Sequence, residues 1–250
     1  MSAQPPVIGG PGRPGAGDAQ GVAELLRTIP LFRVLGDDGI ASAARAGMTR
    51  RYKAGQIIFH RGDPGDSLYA VLEGLVKVVF AAEHGDEIVL NTLGPGETFG
   101  ELALLDGSPR SASIVTARPT YVFALPRAQL LALMREHPAL ADEFLHMLGG
   151  LVRSLTERAA DLVFLDLAGR LAKLLLRLAD APGGGEVRDG AVVDGGLTQS
   201  DLAALIGASR PAVNRALQSL AARKFIETRG RVIVLRDVAA LRRRAGMSGM

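Results

Sequence analysis

Between Gln56 and Leu105 the chain reads "QIIFHRGDPGDSLYAVLEGLVKVVFAAEHGDEIVLNTLGPGETFGELALL", a series of short β-rich runs cut by Gly-Asp, Glu-Gly, His-Gly-Asp and Gly-Pro-Gly. Strands this short cannot stand alone. Joined by tight turns they must pair antiparallel and close on one another, which predicts a barrel or jelly roll. Gly62, Gly74, Gly85 and Gly96 fall at the expected corners, where a positive φ or a close backbone approach is needed.

The period is helical on both sides of this block. Before it, "VAELLRTIPLF" and "GIASAARAGM" read as helices, and residues 1–20, rich in Pro and Gly, read as a disordered tail. The "GGPGRPGAG" within that tail has no preceding strand and no Gly-Lys-Ser/Thr ending, so it is a poor phosphate loop. After the block a long helix is expected from Pro138, a residue tolerated in a first turn. Ala141, Leu148, Leu155 and Leu162 recur every seven residues along it. Phe144, Leu151 and Leu165 form a second series that Arg158 interrupts. Such interleaved series suit a two-chain seam, with Phe144, Leu148, Leu151, Leu155 and Leu162 at the dimer interface; the alternative is a helix packed on its own barrel. Another amphipathic helix covers 167–181, followed by a loop and hairpin through "DAPGGGEVRDGAVVDGG".

The stretch "LTQSDLAALIGASRPAVNRALQSLAARKFIETRGRVIVLRD" carries the most specific pattern. Thr198 can cap a helix over Asp201 to Ile206, and Gly207 can end it. Ser209 can cap a second helix that opens Arg210-Pro211. Val213, Leu217 and Leu220 then face inward, and Arg210, Asn214, Arg215 and Gln218 face out. Two short helices about a glycine turn make a helix-turn-helix. Arg reads guanine edges through two hydrogen bonds, and Asn or Gln reads adenine. "FIETRGRVIVLRD" then predicts a two-stranded wing whose tip offers Arg229 and Arg231 to phosphate. Charge agrees. Residues 195–250 hold ten Lys/Arg against three acids, +7, which leaves −4 for the rest of the chain, as expected of a module that meets a polyanion. Thr198, Gln199, Ser209, Arg210, Asn214, Arg215, Gln218, Arg229 and Arg231 are the candidate DNA contacts.

One more stretch, "FGELALLDGSPRSAS", sets a carboxylate, a guanidinium and a hydroxyl around an apolar run. Two readings stay open on the residues alone: a Glu101–Arg110 surface ion pair, or a pocket for a small ligand bearing hydroxyls and negative charge. Cysteine is absent, which excludes disulfides, thiol catalysis, Fe–S clusters and thiolate zinc sites. The four histidines, His60, His84, His137 and His146, have no ligand spacing. No apolar run approaches a membrane span, and no signal peptide is evident, so a cytoplasmic protein is expected.

On "RGDPGDSLYAVLEG", "FGELALLDGSPRSAS", "FLDLAGRLAKLLL" and "GASRPAVNRAL", the chain resembles the cyclic-AMP receptor protein (CRP/FNR) family of transcription regulators over about residues 25–240. The resemblance implies an α+β architecture. An N-terminal jelly-roll cyclic-nucleotide-binding domain (21–137) would follow the tail (1–20), then a dimerisation helix (138–166) and a winged helix-turn-helix (167–250). It further implies that Glu101 accepts from a ribose 2′-hydroxyl, that Arg110 pairs with the cyclic phosphate, and that Ser111 with the backbone of Gly100 and Leu102 completes the cradle. Such charge-assisted bonds contribute ~1.5–3 kcal/mol each. Arg110→Ala is expected to weaken phosphate-dependent binding and leave the fold intact.

Two positions depart from the family pattern. A Thr-Ser pair that holds adenine reads Leu155-Thr156 here, leaving Thr156 as the hydroxyl-bearing candidate, and an Arg-Glu pair in the recognition helix reads Arg210-Pro211. The expected protein is a homodimeric, non-enzymatic regulator of a palindromic double-stranded DNA operator. Cyclic AMP would be its allosteric ligand and it would need no catalytic cofactor; RNA polymerase is a partner implied by the resemblance. A constitutive regulator or one bound by a cyclic dinucleotide is the alternative, and a nucleotide-sensing enzyme or channel subunit a remote one.

Overall fold

A computed structural model of the chain describes residues 16–81, 87–180, 186–193, 197–230 and 232–247. They gather into two compact units, residues 1–80 with 91–150, and residues 81–90 with 151–250. The tail expected over 1–20 enters the described residues only at Ala16, where the first helix begins, and Gly85, His84 and Arg231 lie outside them.

The chain opens with α1 (Ala16–Thr28), a 3-10 turn (Pro30–Phe32) and α2 (Asp37–Ala46). Eight strands follow: β1 (Met48–Tyr52), β2 (Ile57–Phe59), β3 (Ser67–Glu73), β4 (Val76–Ala81), β5 (Glu87–Leu93), β6 (Thr98–Phe99), β7 (Ser113–Thr116) and β8 (Thr120–Pro126). A short helix, α3 (Leu102–Asp106), interrupts them after β6. Then come α4 (Arg127–Glu136) and α5 (Pro138–Phe164). The strands form two four-stranded sheets ordered β1-β8-β3-β6 and β2-β7-β4-β5, the jelly roll that the turn spacing predicts. Three of the four expected corner glycines, Gly62, Gly74 and Gly96, have φ of 87°, 96° and 88°. At Gly74, between β3 and β4, a Cβ would lie 2.4 Å from the Pro119 carbonyl oxygen, so both the dihedral and the space require glycine.

The central strands are apolar on both faces because both are covered. In β3, Val71 joins Val76, Phe99, Ile114 and Val122 inside the roll, while Leu68, Ala70 and Leu72 belong to the core beneath the helices. β8 divides the same way, with Val122 inside and Tyr121, Phe123 and Leu125 outside. Phe123 is the pivot of the helical core, 1% exposed and edge-to-face with Phe32 at 6.2 Å.

Helix α5 corrects one expectation. Phe144 does not face a seam: it is 5% exposed and packs with Leu140 in the core of its own unit, and Leu148 is half-buried beside it. The second heptad series lies one residue further on. Leu145, Val152, Leu155 and Leu162 are 55–64% exposed, and Ala159 is exposed with them. Positions 145, 148, 152, 155, 159 and 162 are separated by alternating steps of three and four, a regular apolar line along the helix. Leu151 is only half-buried. Arg158 is off the seam and donates from a guanidinium nitrogen to the Leu90 carbonyl oxygen.

The second unit contains α6 (Leu167–Ala179), β9 (Val192–Val193), α7 (Gln199–Leu205), α8 (Arg210–Ala222), β10 (Ile226–Arg229), β11 (Val232–Leu235) and α9 (Val238–Arg244). Leu171, Leu175, Val213, Leu220, Leu235 and Leu241 centre its core. The wing gains a third strand, in the order β10-β11-β9, because the short Val192–Val193 segment pairs with Ile233 and Val234.

Phe123→Ala removes a fully buried ring from the point where β8 meets the helices. It should destabilise the first unit by about 3–5 kcal/mol, read as a lower urea midpoint; a loss below 1 kcal/mol would show that the ring does not organise this core.

Candidate functional site

The first site is built around Arg110. The residue is 4% exposed, yet it is a guanidinium. Its main chain is pinned to the turn after β2, where Arg110 N–H donates to Asp63 O and Gly62 N–H donates to Arg110 O, both at 2.9 Å. Its Nη1 donates to Gly100 O at 2.7 Å and its Nη2 to Ser67 O at 2.9 Å. The carbon of the guanidinium lies 4.3 Å from the Phe59 ring centroid and 5.5 Å from that of Tyr69. Tyr69 in turn stacks on Phe99 at 5.1 Å. Two rings, Phe59 and Tyr69, thus lie against one cation through contacts that suit a guanidinium, with Phe99 packed against both rings. These rings were not picked out in the sequence, where they stand ten to forty residues apart.

Gly100 brings the rest of the site close. Its φ is 86°, and a Cβ there would lie 2.6 Å from Arg110 Nη1. Only glycine lets the chain turn from β6 into α3 against the guanidinium. Arg127 Nε donates to Leu104 O at 2.7 Å and holds α3 in place. Glu101, the residue before α3, is half-buried, while Leu102 and Ser111 are exposed on either side.

Of the two readings of this stretch, the ion pair lacks a direct contact: among the described residues no salt bridge joins Glu101 to Arg110, although each group feels the charge of the other. Burial is the largest influence on both groups. It raises the Glu101 carboxyl above its ordinary value, against its own main-chain amide and the Arg110 charge, and it lowers Arg110. Two of the five guanidinium N–H donors go to carbonyls, and the buried Nε has no partner. An unpartnered buried cation donor beside a half-buried carboxylate can grip an anion that carries a neighbouring hydroxyl. The same packing overturns one expectation. Arg110→Ala would strand the Gly100 and Ser67 carbonyls and empty the space over Phe59, so it would not be structurally silent.

The second site lies in the other unit. Thr198 and Asp201 form a reciprocal capping box, in which Thr198 Oγ1 accepts from Asp201 N–H at 3.1 Å. The helix starts at Gln199, two residues earlier than expected. Ser209 Oγ accepts from Ala212 N–H, and α8 begins Arg210-Pro211 as expected. Val213, Leu217 and Leu220 are buried, and Arg210, Asn214, Arg215 and Gln218 are exposed. Arg210, Asn214 and Gln218, each four residues apart, line a groove of about 570 Å³ with Thr198 and Gln199 on one side and Thr228 and Gly230 of the wing on the other. Arg215 is not among its lining residues. Arg229 is not a free cation: its Nε donates to Glu227 at 2.6 Å.

Thr156 lies in the second unit, on α5, where its hydroxyl donates to the Val152 carbonyl of its own helix at 3.0 Å. Among the described residues, no cluster of His, Asp or Glu could hold a metal ion, and no helix is long and apolar enough to cross a membrane.

Residues 49–137 match the family described as a cyclic nucleotide-binding domain, and residues 169–244 match the Crp-like helix-turn-helix domain. A Mycobacterium tuberculosis protein named CRP-like cAMP-activated global transcriptional regulator is 34% identical over 225 residues, covering 89% of this chain and 99% of the relative. The Thermus thermophilus cyclic AMP receptor protein is 34% identical over 216 residues, covering 86% of this chain and 96% of the relative. Among solved structures, the c-di-GMP-responsive global regulator CLP of Xanthomonas campestris superposes with a TM-score of 0.69 at 26% identity, covering 80% of this chain and 99% of that one.

The raised Glu101 carboxyl has a consequence for stability. A carboxyl whose folded value lies above its unfolded one favours the native state at low pH, and that contribution is lost as pH rises through the raised value. Glu101→Gln should therefore gain stability relative to wild type as pH goes from ~4 to ~8. Denaturation midpoints across that range check it, and a constant or narrowing gap would contradict it.

Proposed function

Because this chain belongs to the CRP family, DNA-binding transcription regulators with a cyclic nucleotide-binding domain and not enzymes, we propose that it is a homodimer whose grip on a palindromic operator is set by a cyclic nucleotide, with cyclic AMP as the ligand. The observation that carries this reading is the buried Arg110 with its unpartnered Nε beside Glu101. Arg110 would take the cyclic phosphate and Glu101 a ribose hydroxyl. The amides of Gly100 and Leu102 with the Ser111 hydroxyl would close the cradle. The names of the Mycobacterium and Thermus relatives point to the same ligand.

The apolar line through Leu145, Leu148, Val152, Leu155, Ala159 and Leu162 supports pairing of two α5 helices. Two copies of α8 would then face half-sites about one DNA turn, roughly 34 Å, apart. Arg210, Asn214, Arg215 and Gln218 would read bases, with Thr198, Gln199, Ser209, Arg229 and Arg231 at the phosphates. Thr198 and Ser209 spend their side-chain oxygens on helix caps, so their contribution would come through the main chain and position. Ligand acts by differential affinity for one arrangement of the dimer. We further place the protein in the cytoplasm, with RNA polymerase as a partner, the roll and α5 forming sensor and dimer helix, and residues 167–250 the reader.

A second reading rests on α5. Leu155 lies on the apolar line and the Thr156 hydroxyl is already bonded to Val152, so neither is set to hold adenine. This favours a different anionic ligand, such as the cyclic dinucleotide to which the Xanthomonas relative responds, or DNA binding without any ligand.

Calorimetry with cyclic AMP, cyclic GMP and a cyclic dinucleotide separates these readings. The first predicts saturable binding of cyclic AMP that Arg110→Lys weakens at least tenfold, since lysine keeps the charge and loses the fork. No binding at millimolar cyclic AMP would remove it. Leu155→Glu should convert the dimer to monomer in analytical ultracentrifugation; a variant that sediments as wild type would place the interface elsewhere.

A further inference from the structure

Three acidic residues stand among the ten Lys/Arg of residues 195–250. Two of them serve helix caps. Asp201 completes the capping box of α7, and Asp237 Oδ1 accepts from Ala240 N–H at 2.7 Å at the start of α9. Glu227 caps nothing. On β10 of the wing, its Oε1 accepts from Arg229 Nε at 2.6 Å and its Oε2 from Arg236 Nε at 2.9 Å, with Arg236 Nη2 bonded to the same oxygen. Both carboxylate oxygens are occupied by guanidinium groups that belong to the module's positive surface.

Position along the strand gives this cluster its meaning. Successive side chains of a strand point to opposite faces. Thr228 lines the groove that also holds Arg210, Asn214 and Gln218. Glu227 and Arg229 flank it and project from the other face, and neither lines the groove. The cluster therefore lies outside the set of side chains placed to read base edges. Any contact such cations make with DNA is therefore with phosphate, the part common to every sequence.

We propose that Glu227 is a specificity-setting residue that occupies Arg229 and Arg236 and so lowers the protein's affinity for DNA of arbitrary sequence. The cluster carries one net positive charge in place of two, and Arg236 presents the nitrogens of one edge to the carboxylate instead of to DNA. Non-specific binding scales with the phosphates neutralised, whereas base readout does not. Masking wing cations thus widens the gap between operator and bulk DNA. The two arginines hold the Glu227 carboxyl down at about 2, so the mask stays in place throughout the physiological range. The inference rests on the reading of the second unit as the DNA-binding module.

The test uses the full-length protein, a random-sequence 30-base-pair duplex, and an operator selected from a random library by the wild-type protein. Glu227→Gln should bind the random duplex about threefold more tightly, with the slope of log K against log salt steeper by about 0.9, one additional phosphate contact. Its preference for the selected operator should fall. Glu227→Asp should restore most of the wild-type behaviour, and Arg229→Ala added to Glu227→Gln should remove the gain. Unchanged or weaker binding of the random duplex by a Glu227→Gln protein with a native circular dichroism spectrum would overturn the proposal. Wild-type protein that shows no salt-dependent DNA binding would instead overturn the reading of the module itself.

Discussion

A buried guanidinium organises the first unit. Arg110 is taken out of water almost completely, and an uncompensated cation in that position would cost several kcal/mol. The fold offsets this with parts drawn from across the roll. The turn after β2 holds its main chain, β3 contributes Ser67 O and Tyr69, β2 contributes Phe59, and the β6–α3 junction contributes Gly100 O. The compensation engages two of the five N–H donors and leaves the buried Nε without a partner. An anion that supplies the missing acceptor would bind more tightly than the same anion at an exposed arginine, because the desolvation has already taken place in folding.

The two units handle charge in opposite ways. The roll concentrates one cation in its interior and surrounds it with rings and carbonyls. The reader spreads cations over its surface and then neutralises some of them: Glu227 holds Arg229 and Arg236, and Asp166, the N-cap of α6, is paired with Arg244. Asp166 is held below its ordinary value, chiefly by the Gly169 amide and then by Arg244. A count of Lys and Arg read from the sequence therefore overstates the cationic face offered to a polyanion. The geometry of the ion pairs, and not the total, sets that face.

Much of this was legible in the residues. Glycine corners, caps and period changes gave the roll, the long helix and the helix-turn-helix, because each depends on local chemistry within a few positions. What escaped depended on packing. Phe144 has the right spacing for a seam, yet it sits in the first turns of α5, where the roll's own core claims it. Leu145 and Val152 join the exposed apolar line of α5 only once exposure is known. The rings beneath Arg110 come from β2, β3 and β6, forty to fifty residues away for the first two, and no local pattern joins them. The Glu227 bridge to Arg236 likewise runs from β10 to the residue just past β11.

If an anion completes the Arg110 donor set, the Arg110 side-chain Nε–H resonance reports on it directly. In a 15N NMR titration with cyclic AMP this single resonance should move downfield and saturate with the ligand, while adenosine, which has no phosphate, leaves it in place. A protein that binds cyclic AMP with the Arg110 Nε–H unmoved, or that moves it equally with adenosine, would contradict the claim.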